Sequence, residues 1–141
     1  MLPLKLFSIV EANRILPVIQ SALTVFFTLR EETGQITKDM ELLFSIWGED
    51  VLRKTNIDYH LYLTKEQQRK DTLKRMKGAL DSIASLGAIV KDINHGLVDF
   101  YAEHNGKMVL LCWQYGEEAV SYWHGVDEGY TGRKSISMLQ A

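Results

Sequence analysis

The residues best equipped for chemistry lie in the last third of the chain. In Trp123-His124-Gly125-Val126-Asp127 an imidazole and a carboxylate stand three residues apart. A carboxylate at that spacing can accept from one ring nitrogen and fix the tautomer, leaving the other nitrogen for a proton or a metal. The plainer alternative is that Asp127 caps a turn and His124 bonds a backbone carbonyl. Gly129-Tyr130-Thr131-Gly132-Arg133-Lys134 follows. Two glycines free backbone amides for an anion nest, and the Arg133 fork suits phosphate or carboxylate. The spacing fits neither a Walker loop nor a dinucleotide fingerprint. The alternative is that Arg133 pairs with a carboxylate of its own domain. Asp99 is disfavoured in mid-strand, so it needs a partner: Arg133, His124, Lys91 or backbone amides of the N-terminal helix. Cys112, its expected cross-strand neighbour, reads as a small buried thiol. A carboxylate nearby raises a thiol pKa and makes a poor nucleophile.

Other chemistries are less well served. No pair has H-E-x-x-H or C-x-x-C spacing, and a site from His124, Asp127 and Asp99 has no further support, so neither metal nor cofactor is expected. Residues 65–77 carry Lys65, Arg69, Lys70, Lys74, Arg75 and Lys77 against Glu66 and Asp71. A basic face can track phosphates, but this stretch has no aromatic for base stacking. Nucleic acid is therefore the least favoured partner; the face could instead meet Glu31-Glu32 and Glu49-Asp50 of a second copy.

The elements that must position these groups fall into two kinds. Ser8 and Glu11 form S-x-x-E, a capping box, and Phe7 precedes it as half of a hydrophobic staple. Ile9, Ala12, Leu16, Ile19, Leu23 and Phe26 then repeat at 3-4-3-4-3, a heptad seam, bent at Pro17. Asn13 lies off this seam and is expected to bond the sheet or the tail, tying the two ends of the chain together. Gly34 is the first stop signal; Ile36, Met40, Leu43, Trp47 and Val51 continue the spacing as a second helix or the same one. Residues 53–63 are ambiguous. A further helix is predicted from Thr64, with T-x-x-Q as its cap, a stripe of Leu73, Met76, Leu80 and Ile83, and Gly87 as its end.

After Gly87 the period becomes two. Ala88–Lys91 is a short strand and Asn94-His95-Gly96 a turn. Leu97–His104 and Lys107–Gln114 flank Asn105-Gly106, a strong hairpin signal. A type I′ turn there sets Val98 against Trp113, Phe100 against Leu111 and Ala102 against Val109 on the buried face, with Asp99 against Cys112 on the other. A tight second turn at Gly116-Glu117 would place Val120 opposite Trp113. The tail after Gly125 has no period. The expected fold is α+β: a long-helix hairpin or three-helix layer on a small antiparallel meander. It is a single domain over 1–141, helical over about 8–86, sheet over about 88–124, with a glycine-containing tail at 125–141.

Two stretches resemble an uncharacterised bacterial family catalogued as a domain of unknown function. One is Phe7, Ser8, Glu11, Ala12, Asn13, Leu16 and Pro17. The other runs from Val90-Lys91-Asp92 through Gly96-Leu97-Val98-Asp99-Phe100, Leu111-Cys112-Trp113 and Gly116-Glu117 to Trp123-His124, Asp127, Gly129-Tyr130 and Gly132-Arg133. Glu118 departs from the proline that relatives often carry there. The resemblance implies a shared fold and no particular activity.

Composition bounds the rest. Sixteen Lys+Arg against eighteen Asp+Glu in 141 residues, with 46% hydrophobic residues, describe an ordinary soluble domain. Near-neutral charge exerts no global pull on nucleic acid or anionic membrane. One cysteine excludes an internal disulfide and suits the cytoplasm. The longest uncharged run, Ile15–Leu29, falls short of the roughly 18–20 residues of a spanning helix, and no signal peptide is evident. The leading expectation is a non-enzymatic interaction module that self-associates or meets a protein partner through its helices, with no membrane contact. The second is a small-anion site of Asp99, Trp123, His124, Asp127, Gly129, Gly132 and Arg133, supported by Ser8, Glu11 and Asn13.

Overall fold

A computed structural model describes residues 4–139. In chain order it holds α1 (Ile9–Trp47), a 3-10 turn (Gly48–Leu52), α2 (Tyr59–Ser85), β1 (Ile89–Asp92), β2 (Leu97–His104), β3 (Lys107–Gln114) and β4 (Tyr122–Gly125). A 3-10 turn (Tyr130–Gly132), β5 (Lys134–Ser135) and a last turn (Ile136–Met138) complete it. The fold is α+β, with five antiparallel strands in sequence order. The residues gather into two compact units, one reaching to Leu23 and resuming at Leu80, the other spanning Thr24–Ala79.

The first unit contains the sheet. Ser8 Oγ accepts from Glu11 N at 3.0 Å and Glu11 Oε1 from Ser8 N at 3.3 Å, a reciprocal cap that starts α1. The Ser8 bonds hold the Glu11 carboxyl below its usual range. Ala12, Leu16, Ile19 and Leu23 are buried along one stripe of α1. Val98, Phe100, Leu111 and Trp113 are buried on one face of β2 and β3, the face Phe7 meets edge-on through Phe100, centroids 5.2 Å apart. Asn13 Oδ1 accepts from Val120 N at 2.8 Å, so the first helical turns are tied to the chain entering β4.

The β2–β3 hairpin closes through Asn105 (φ 52°) and Gly106 (φ 77°), both left-handed as a type I′ turn requires. Its register runs from His104 opposite Lys107 to Leu97 opposite Gln114, and this register was legible in the sequence. The next pairing was not. Cys112 faces Tyr122 and Leu110 faces His124, one residue from the expected register, because Trp113 Nε1 donates to Glu117 O and Gln114 N to Glu117 Oε1 within a loop longer than two residues. The slip moves His124 to the face that carries Asp99. The tail also departs from expectation: β5 pairs with β4, Tyr122 opposite Ser135 and Trp123 opposite Lys134.

The second unit is a helical hairpin. α1 runs through Gly34 without a break, since Phe26, Leu29, Met40 and Leu43 keep one buried stripe across it. α2 begins at Tyr59 rather than Thr64. Its entry is set instead by Asn56 Oδ1, which accepts from Asp58 N, and by Trp47 Nε1, which donates to Asp58 Oδ2 at 2.8 Å. The expected stripe of α2 holds at Ile83, which is buried, and at Met76 and Leu80, which are half-buried, but departs at its first member: Leu73 is exposed and Thr72 buried. The reason is a polar layer. Thr33 Oγ1 lies 2.7 Å from both Thr72 Oγ1 and Leu29 O, and Thr72 Oγ1 donates to Arg69 O at 3.0 Å. Lys65 bridges Asp39 at 3.0 Å and Lys70 bridges Glu66 at 3.1 Å, so part of the basic run is spent within the hairpin.

Candidate functional site

The sheet face opposite Phe100 has its own buried centre. Asp99 on β2, Cys112 on β3 and His124 on β4 are all at most 3% exposed. Asp99 and Cys112 are directly paired, while His124 reaches across β3 from its position opposite Leu110. His124 Nε2 lies 3.1 Å from Asp99 Oδ2, and Nδ1 lies 2.9 Å from Gly125 O. A carbonyl only accepts, so Nδ1 carries a proton. One further proton is shared between Nε2 and Oδ2. Asp99 Oδ1 has no hydrogen-bond partner among the described residues, an unusual state for a buried carboxylate oxygen. Burial, then the Asp99 charge, push the Cys112 thiol up to about 12.

The chain after β4 folds over this centre. Val126, Glu128, Gly129 and Tyr130 join Lys91, Leu97 and Leu110 around a cleft of about 230 Å³ that Asp99, Cys112 and His124 line. Asp127 does not take part: it is exposed and makes none of the His124 hydrogen bonds. Its expected role falls to Asp99. Trp123 is paired with Leu111, so its side chain projects to the other face. Its Nε1 donates to Ser135 O at 3.2 Å and Lys134 sits over its ring.

The expected anion binders are satisfied within the chain. Arg133 Nη2 donates to Glu117 Oε1 at 2.6 Å, and the guanidinium lies 4.0 Å from the Tyr122 ring centroid and 4.8 Å from that of Tyr130. Burial, the largest single influence, works against its charge, but the Glu117 hydrogen bond and charge, with Cys112 and Tyr130, together outweigh it and raise its pKa. Its Nε is buried without an acceptor. The carboxylate that the glycines embrace is Glu128: Gly125 N and Lys134 Nζ both donate to its Oε1, at 3.0 and 2.8 Å. The Lys134 bond, then that of Gly125, lower its pKa. A methyl group on Gly132 would come within 2.9 Å of Glu128 Cβ, so this glycine makes room for Glu128, whereas Gly129 has open space. Ser8, Glu11 and Asn13 serve the helix cap and the Val120 tie.

Glu117 and Glu128 were missed as partners. Both sit in loops, and nothing in their spacing announces which cation or amide they reach.

A nucleophilic triad does not form. The His124 nitrogen that would take a thiol proton must be free of other partners, and here one nitrogen faces a carbonyl and the other the carboxylate. What the site defines is an α+β protein with a buried, mixed oxygen–sulfur–nitrogen centre under a C-terminal strap. The chain belongs to the family described as an uncharacterised conserved protein (DUF2203), whose model matches residues 5–136. No curated protein and no solved structure matches it.

Proposed function

We propose that the protein is a non-enzymatic interaction module that self-associates through the hairpin of residues 24–79. The support is the apolar surface that this unit leaves uncovered. Leu42, Ile46, Leu52 and Ile57 are 61%, 60%, 52% and 86% exposed, with Phe44, Trp47, Leu61 and Leu63 also exposed between the end of α1 and the start of α2. Single exposed apolar residues need no explanation, but a concentration of them marks a contact surface. Charge favours a second copy as the occupant: Glu31 and Glu32 stand on α1, Glu49 and Asp50 in the turn at the hairpin's tip, and Lys74 and Arg75 on α2 away from that tip, so an antiparallel partner sets the acidic tip against the basic end of the other copy. We place it in the cytoplasm, where Cys112 stays a thiol.

Sedimentation over a wide concentration range tests this. The expected result is a reversible dimer that Leu42→Glu and Ile46→Glu convert to monomer with unchanged helical circular dichroism. A strict monomer at every concentration overturns it. So does vesicle binding without self-association, an outcome worth measuring because Ile9–Leu52 is long and apolar enough, by length and composition alone, to cross a membrane.

A further inference from the structure

The buried centre on the sheet is independent of that surface. Its three side chains offer one carboxylate oxygen, one thiol sulfur and one imidazole nitrogen, all within 4.8 Å of one another. Three observations beyond their proximity point to a ligand. Asp99 Oδ1 is buried without a hydrogen-bond partner among the described residues, and Asp99 lines the cleft. His124 holds its Nδ1 proton on the Gly125 carbonyl, the outer-shell bond that orients a metal-bound imidazole and presents Nε2. And the expected anion binders nearby are already occupied by Glu117 and Glu128.

We propose that Asp99, Cys112 and His124 bind one divalent transition ion of the zinc class. The donor set selects the ion. A thiolate with an imidazole suits zinc and its neighbours, whereas calcium and magnesium take oxygen shells. Zinc bonds to S, N and O of about 2.3, 2.0 and 2.1 Å put tetrahedral ligand atoms about 3.3–3.6 Å apart. The His124 Nε2–Asp99 Oδ2 separation of 3.1 Å is close to that, and the widest separation closes by roughly 1 Å of side-chain rotation. On binding, the ion takes the Nε2 lone pair, the carboxylate and the sulfur. The proton shared by His124 and Asp99 and the thiol proton leave to solvent, two protons per ion. Three protein ligands leave the fourth position open to the cleft, where water or a small ligand completes the shell.

The test uses the full chain stripped with chelator. Equilibrium dialysis against Zn²⁺ is expected to give one ion per chain and a raised melting temperature. Asp99→Asn and Cys112→Ser should each weaken binding by about a hundredfold or more. Co²⁺ should give the intense visible bands of a tetrahedral centre and a thiolate charge-transfer band, the latter lost in Cys112→Ser. His95→Ala removes an exposed His–Asp pair, His95 with Asp92 at 2.7 Å, and should leave binding unchanged. Substoichiometric binding, a wild-type cobalt spectrum without the thiolate band, or loss of binding in His95→Ala overturns the site. The wild-type spectrum decides even if a variant fails to fold.

Discussion

Asp99 and His124 form a pair whose partners depend on each other, and its energetics can be worked through by substitution. Both side chains are at most 4% exposed and 3.1 Å apart. Replacing His124 by Leu removes the imidazole partner of Asp99 Oδ2, while Oδ1 already has no partner among the described residues. Stranding a buried carboxylate in this way costs about 3–5 kcal/mol, a large part of the 5–15 kcal/mol typical of a whole domain. The double variant Asp99→Val/His124→Leu removes the stranded charge as well. Valine suits a mid-strand position between Ile89 and Cys112, and an apolar replacement of a buried pair is neutral or stabilising by about 1–4 kcal/mol. Urea denaturation of metal-free protein should therefore rank His124→Leu lowest, with the double variant near or above wild type. The coupling energy should be about 3 kcal/mol or more. If the double variant is the least stable and the two losses add, the pair is a structural asset, and the view of it as a costly centre retained for a ligand is refuted.

Further outcomes follow from the same structure. With its pKa raised from 9.0 to about 12, Cys112 is thiolate at pH 8 in about one molecule in 10⁴, so alkylation of the folded metal-free protein should run about a thousandfold slower than after unfolding. The sign for stability is negative as pH rises: between pH 9 and 12 the unfolded thiol ionises and the folded one does not, so the fold weakens across that window, measurable as a falling urea midpoint. Gly132→Ala should destabilise through its clash with Glu128 Cβ and Gly129→Ala should stay within about 0.5 kcal/mol; equal costs would mean that the glycines serve something other than space. In the hairpin, Thr33→Val alone deprives Thr72 Oγ1 of a partner and should cost about 1–2 kcal/mol, while Thr33→Val/Thr72→Val should recover most of it, read from thermal melts.

Much of the fold was legible because its signals are local. The Ser8–Glu11 cap, the stripe from Ala12 to Phe26 and the left-handed pair Asn105-Gly106 each depend on residues a few positions apart, and each forms. What escaped depends on contacts distant in sequence. Thr64 reads as a cap in isolation, yet the hydrogen bond from Trp47 to Asp58 starts α2 five residues earlier. Leu73 fits the apolar period, yet Thr72 is buried because Thr33 waits opposite it. The strand β5 has no alternation to announce it, being two residues held by β4.

The candidate site shows the same division, and one residue of register carries the difference. Asp99 and Cys112 were placed together by the hairpin alone, a local matter. His124 was not, because the turn after β3 is governed by Glu117, which binds Gln114 N, Trp113 Nε1 and Arg133 at once. In the tighter turn that Gly116-Glu117 suggests, His124 would face Val109 on the helix side and Asp99 would have no imidazole. With the longer loop it faces Leu110 and reaches the carboxylate. Glu117 therefore acts on the centre without touching it. Deleting one residue of this loop while the Glu117 turn keeps its form should flip β4, turn Tyr122 in place of Trp123 toward the Phe100 face, and abolish the Asp99–His124 contact while leaving the β2–β3 hairpin intact. Two-dimensional NMR of the His124 ring would report it, and a ring signal unchanged from wild type would show that something other than register holds the pair.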